Sequence, residues 1–181
     1  MAMECKEFHP YPYQQFCIQH IIDHPAAGLF VDMGMGKTVM TLTAFNYLKY
    51  YAWQIQRCLV IAPKKVAEAT WRTEISGWQH LRHLRCSEVL GTATQRRAAM
   101  AVDADVYVTN RDNVQWLVKE YGKAWPFDMV VLDESSSFKN HQAKRFKALR
   151  AMRPKIKRIV ELTGTPSPHG LMDLWAQVYL L

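Results

Sequence analysis

The chain has 181 residues, 49% of them hydrophobic, and a net charge of +7. That length and apolar content suit one globular domain with a real core and exclude a disordered chain. No apolar run approaches the ~20 residues of a membrane span, no signal-peptide core follows MAMECKEFHP, and the four cysteines lack CxxC pairing. A membrane protein and a disulfide scaffold are therefore set aside, and a reducing, intracellular, cytoplasmic setting is expected.

Residues 1–12, with His9-Pro10-Tyr11-Pro12, read as an extended arm because the prolines resist helix. From 13 to 24, Phe16, Ile18, Ile21 and Ile22 recur at helical spacing among Gln14, Gln15 and Gln19, and Pro25 stops the helix. A glutamine here is by itself an ordinary surface residue; beside a nucleotide, its amide would suit the N6/N7 edge of adenine. Leu29, Phe30 and Val31 make a short buried strand that runs into Gly34-Met35-Gly36-Lys37-Thr38, and residues 39–51 return to helical spacing. Strand, glycine turn and helix are the context of a phosphate-binding loop. The glycines let backbone amides crowd around a polyphosphate, and the helix N-terminus adds positive potential. Lys37 then reaches the terminal phosphates and the Thr38 hydroxyl ligates Mg²⁺. The strict pattern asks for glycine where Val31 stands, so a plain glycine-rich helix start stays open at this point.

Residues 57–62 (RCLVIA) form a second strand, ended by Pro63; Lys64-Lys65 open a helix to 77 with Val66, Ala69, Trp71 and Ile75 on its buried side. A third strand at 86–90 and a short helix to 100 follow. Leading into that strand, His80, His83 and Cys86 lack a fourth ligand for zinc. A fourth strand at 105–109 ends in the polar Thr109-Asn110-Arg111, and 112–122 is helical. The stretch FDMVVLDESSSFKN (127–140) holds a central strand at 129–132 that delivers Asp133 and Glu134 at its carboxyl end, where open α/β sheets bind ligands. If that strand neighbours the one before the phosphate loop, Asp133 faces Thr38 across one Mg²⁺. Glu134 is then placed to orient and deprotonate an attacking water.

A helix at 141–152 turns Ala143, Phe146, Leu149 and Ala151 inward, and a strand at 156–162 delivers Thr163-Gly164-Thr165-Pro166 to the ligand side. A last apolar helix, 170–181, is still running at Leu181, which favours a fragment of a longer protein. From 139 to 158 there are nine Lys/Arg and no acid, while the other residues hold 14 basic and 16 acidic side chains. Such a stretch is either a footprint for an acidic partner or a solvated helix face. Alternating strands and helices over 1–181 make the fold class α/β, a mostly parallel sheet flanked by helices.

Taken together these segments resemble the N-terminal RecA-like lobe of a superfamily II helicase or translocase (DEAD/DEAH-like) of the Swi/Snf type. PYQQFCIQHI resembles the adenine-recognising glutamine motif, and DMGMGKT resembles motif I, which in this branch also lacks the leading glycine. LVIAPKKV with the following Trp and Glu residues resembles motif Ia, and VTNRD a nucleic-acid-contacting motif after it. LDESSSFKN is similar to motif II, and LTGTP with DLW to motif III and its helix. Six motifs arrive in the family's order over nearly the whole chain.

The resemblance implies a single RecA-like P-loop NTPase domain spanning 1–181 that binds ATP and Mg²⁺. Gly34, Met35, Gly36, Lys37 and Thr38 would hold the phosphates, Thr38 and Asp133 the metal, and Glu134 the water. Gln14 would read adenine, with Phe8 or Tyr11 against the ring. Pro63, Lys64, Thr109, Asn110 and Arg111 would touch the backbone of nucleic acid, DNA rather than RNA, and Thr163 and Thr165 would couple hydrolysis to that side. A second RecA-like lobe of the same longer chain would supply arginine fingers. The short connections suit a prokaryotic or viral version. Two other functions fit a phosphate loop: phosphoryl transfer to a small molecule, which leaves the six ordered motifs unexplained, and a single-lobe module that binds nucleic acid or a partner protein with little ATPase activity of its own.

Overall fold

The computed structural model describes residues 6–134 and 144–164. Six strands form one sheet in the order β1-β6-β5-β2-β4-β3, every neighbouring pair parallel. The strands are β1 (Ala26–Phe30), β2 (Cys58–Ala62), β3 (Cys86–Val89), β4 (Val106–Asn110), β5 (Met129–Asp133) and β6 (Arg158–Thr163). The helices are α1 (Pro12–Asp23), α2 (Lys37–Tyr50), α3 (Lys64–Gly77), α4 (Ala93–Ala101), α5 (Val114–Tyr121) and α6 (Lys144–Met152).

Alternation along the central strands builds two cores. Cys58, Val60 and Ala62 of β2, with Met129 and Val131 of β5, face α1, α2 and α3. Leu59, Ile61, Val130 and Leu132 face the other way, against Val114 and Leu117 of α5 and Phe146 and Leu149 of α6. A strand buried on both faces reads as a continuous apolar run, which is why β2 and β5 stand out in the sequence. The first strand, β1, begins earlier than expected, at Ala26, and ends at Phe30. Its first residues are small, but backbone pairing of Ala26 with Ile159 and of Ala27 with Val160 needs no bulky side chain.

Several expectations are corrected: on α3, Ala67 rather than Ala69 is buried and Ala69 is exposed, and Phe30 at the end of β1 is exposed. The strand carrying Asp133, β5, does not neighbour β1: β6 lies between them, pairing with β1 on one side and β5 on the other. An apolar run signals burial, not the identity of its neighbour. On α6, Ala148 rather than Ala151 packs toward the core, and Ala151 is exposed. Residues 153–155 form a 3-10 turn, which delays the last strand to Arg158. The expected helix at 170–181, Thr165, Ala143 and Lys139-Asn140 lie outside the described residues.

Asp105, just ahead of β4, is fully buried. Lys49 Nζ and the Tyr50 hydroxyl donate to its Oδ1, and the Arg85 backbone N–H donates to Oδ2 at 2.6 Å. Burial pushes this carboxyl up, but these bonds and the two cations outweigh it and hold the group below its ordinary value.

Candidate active site

All strands are parallel, so their carboxyl ends share one edge of the sheet. The loop at 31–36 leaves β1 there and enters α2. Gly34 (φ +79°) and Gly36 (φ +82°) lie in the left-handed region. A Cβ on Gly36 would also stand 2.8 Å from Gln14 Nε2, so two constraints select glycine. Gly36 caps α2 without a side chain, which leaves the first amides of the helix available to an anion. Lys37 Nζ donates to the carbonyls of Val31 (2.8 Å) and Asp32 (3.0 Å), so its ammonium is held across the loop.

The first helix docks onto this loop. Gln14 is buried; the Tyr11 N–H donates to its Oε1 (3.0 Å) and its Nε2 donates to the Met35 carbonyl (3.3 Å). Tyr13 donates to the same carbonyl at 3.2 Å. An amide has two donors and two lone pairs, so one of each remains for a base. Gln14, Phe8, Tyr11 and Tyr13 line a cavity of about 430 Å³ beside the loop. Phe8 is stacked on His80 and meets Trp78 edge-on, whereas Tyr11 is largely exposed.

A second cavity, of about 260 Å³, brings together Lys37, Thr38, Asp133 and Glu134, with Val66, Thr70 and Glu74 of α3 opposite the loop. Asp133 ends β5 and is 8% exposed. Trp71 Nε1 donates to its Oδ2 at 2.9 Å. Burial pushes the Asp133 carboxyl above its ordinary value, opposed by the Trp71 bond and reinforced by Glu134. A buried carboxylate in that state favours a cation, and Asp133 with the Thr38 hydroxyl offers the hard oxygen ligands that suit Mg²⁺. The donor set therefore fits that metal.

Glu134 follows in the left-handed region (φ +55°), uncommon for a residue with a side chain. Arg111 Nη2 donates to the carbonyls of Asp133 (3.3 Å) and Glu134 (3.0 Å), spanning this turn. Burial lowers the Arg111 pKa, as does the nearby Arg145, against the pull of the Glu134 and Asp133 charges.

The five residues expected along a nucleic-acid backbone divide here. Thr109 is fully buried; its hydroxyl donates to the Val89 carbonyl and accepts from Asn113 Nδ2. Asn110 accepts from the Asn113 N–H (3.1 Å) and caps the turn after β4. Arg111 is directed to the Asp133–Glu134 backbone. These three groups satisfy the polar atoms of a strand end, a demand invisible in a strand-to-helix junction read as text. Pro63 and Lys64 remain outward at the start of α3, with Lys64 4.0 Å from Glu68. Thr163 is buried at the end of β6, opposite Phe30.

Trp71, on the buried side of α3, does more than fill the core, since its indole N–H holds the Asp133 carboxylate. A buried indole needs an acceptor for its N–H, and that demand was the available signal. The basic stretch also separates. Lys155 donates to the Gly122 and Lys123 carbonyls, Lys157 pairs with Asp128 (2.7 Å), and Arg158 donates to the carbonyls of Ile21 (2.9 Å) and His24 (3.2 Å). Arg158 pairs with Met129 where β5 and β6 begin, the sheet edge opposite the site.

Residues 13–181 match the family described as the SNF2-related domain. Protein p41 of Acyrthosiphon pisum secondary endosymbiont phage 1 is 41% identical over 182 residues, covering 97% of this chain and 40% of that protein. The SWI/SNF-related matrix-associated actin-dependent regulator of chromatin subfamily A member 1 of Mus musculus is 29% identical over 160 residues, 85% of this chain and 15% of its own length. Among solved structures, the Sulfolobus solfataricus SWI2/SNF2 ATPase core in complex with dsDNA matches with a TM-score of 0.77 at 28% identity, over 94% of this chain and 35% of that one. The chain thus spans 40% or less of these relatives' lengths. Its parallel sheet is the RecA-like α/β fold of the SWI2/SNF2 core, and with the family match running from residue 13 to the last residue, the chain belongs to the SNF2-related domain family.

Proposed function

We propose that this chain is the ATP-binding lobe of a DNA-dependent, helicase-like ATPase: it binds Mg²⁺ and ATP and, with a second RecA-like lobe, hydrolyses ATP to drive movement along nucleic acid. The observation that carries the reading is the cavity that joins Lys37, Thr38, Asp133 and Glu134, residues from two strand ends separated by β6. Lys37 and the amides at the start of α2 bind phosphate oxygens. Thr38 and Asp133 would hold Mg²⁺, which when bound neutralises phosphate charge. Trp71 fixes one oxygen of Asp133 by donating to it. Glu134, on the turn spanned by Arg111, accepts the proton of the water that attacks the terminal phosphate. Gln14 selects the base. Thr163 and Thr165 link this site to the nucleic-acid side, where Pro63 and Lys64 contact the phosphate backbone. Double-stranded DNA in the archaeal neighbour supports DNA over RNA.

Titration with ATP labelled on its γ-phosphate tests the reading. Binding should be saturable, strengthened by Mg²⁺, and weakened about 100-fold or more by Lys37→Ala, which removes a charge-assisted contact. Gln14→Ala should erase a preference for ATP over GTP. Saturable DNA binding without any nucleotide binding would instead assign the chain to the single-lobe binding modules.

Lys144, Lys147 and Arg150 lie exposed on α6, whose apolar side docks against α5. Replacing all three with Gln should change the slope of log DNA affinity against log salt by less than one unit. Each neutralised duplex phosphate is worth about −0.9 in that slope, so a flattening by about two to three units would place these charges on DNA after all.

A further inference from the structure

The two cavities beside the phosphate loop have three lining residues in common: Gly34, Gly36 and Glu74. A nucleotide with its base against Gln14 and its phosphates at Lys37 must carry its sugar past that shared wall. Glu74 is the one side chain there. It lies on α3 in line with Val66 and Thr70, which face the phosphate cavity at the same four-residue spacing. Its Oε2 accepts from Trp78 Nε1 at 2.7 Å, so the carboxylate is held in place. Its Oε1 makes no hydrogen bond among the described residues. Trp78 in turn lines the base cavity and meets Phe8 edge-on at 5.3 Å.

We infer that Glu74 is a specificity-determining residue that accepts hydrogen bonds from the ribose hydroxyls of the bound nucleotide. The assignment rests on the proposed reading of the site as an ATP site. A ribose presents a vicinal diol, two donors side by side, and a carboxylate is an acceptor only. Reading α3 for its buried side alone hides this role, because Glu74 lies on the helix face turned to the nucleotide rather than to the sheet.

Calorimetric titration of the 181-residue chain with ATP and with 2′,3′-dideoxy-ATP, both with Mg²⁺, tests it. The parent should bind ATP about tenfold tighter or more, the scale of hydrogen bonds to a charged group. Glu74→Ala should bring ATP down to the affinity of the dideoxy nucleotide while leaving the latter unchanged. Glu74→Gln, whose amide oxygen still accepts, should keep part of the difference and serves as the deciding variant if Glu74→Ala does not fold. Equal affinity of the parent for both nucleotides, or a full difference surviving in either variant, overturns the assignment alone. No saturable binding of either nucleotide overturns the ATP reading and this assignment with it.

Discussion

Glu134→Gln should lower ATP turnover about 10²–10⁴-fold, the usual worth of a positioned general base, when the chain is joined to a second RecA-like lobe. Nucleotide affinity should stay within about threefold, because the amide keeps the size of the side chain and Lys37, Thr38 and Asp133 are untouched. The 181-residue chain by itself should turn over too slowly for the substitution to register. An arginine finger is worth roughly 10³–10⁵ in other phosphate-cleaving enzymes, and on the proposed reading the partner lobe supplies it. Steady-state hydrolysis with and without DNA measures both effects. Vigorous DNA-stimulated turnover by residues 1–181 would mean that a second copy completes the site. Unchanged turnover in the joined protein would remove Glu134 from the proton-transfer role. The left-handed backbone at Glu134 and its span by Arg111 make the position a demanding one to fold, which is consistent with a functional constraint.

A stability effect of comparable size should come from Asp105→Asn, ahead of β4 at the sheet edge opposite the Lys37–Asp133 cavity. Asp105 gathers Lys49, Tyr50 and the Arg85 amide under the sheet, joining the end of α2 to the entrance of β4. Losing the charge leaves the largely buried Lys49 ammonium without its partner, and breaking a buried pair from one side costs about 3–5 kcal/mol. Urea unfolding at neutral pH measures it, and a cost below about 1 kcal/mol would show that the network is dispensable. Lys49→Met added to Asp105→Asn should recover part of the loss, since the stranded charge is then gone as well.

The pH dependence has a definite sign. The folded carboxyl sits below its ordinary value, so its contribution is complete above the ordinary carboxylate range, near pH 4. It is lost as pH falls through the lowered folded value. Parent and Asp105→Asn should therefore converge in stability under acid and diverge toward neutrality.

The elements themselves were legible from local chemistry. The two-sided apolar runs of β2 and β5, the glycine pair before α2 and Pro25 after α1 each state their own role, because period, turn geometry and helix breaking act within a few residues. The four residues that line one cavity could be picked out by their local setting: Lys37 and Thr38 open a helix after a glycine turn, and Asp133 and Glu134 stand at the end of a buried strand. Placement across the sheet was not. Whether β5 neighbours β1 depends on which buried strands pair, and β6, buried from Ile159 to Thr163, takes the place between them. The direction of a polar side chain at a junction was equally hidden. Thr109 and Arg111 are as polar as residues that meet a ligand, yet the unmet acceptors of nearby strand ends (the Val89, Asp133 and Glu134 carbonyls) turn them inward. Trp71 and Glu74 share one helix, but only packing sends the first to the Asp133 carboxylate and leaves the second on the wall between two cavities. A chain written in order carries the period of each element; the partners of a buried polar atom are decided by elements dozens of residues away, and only folding brings those together.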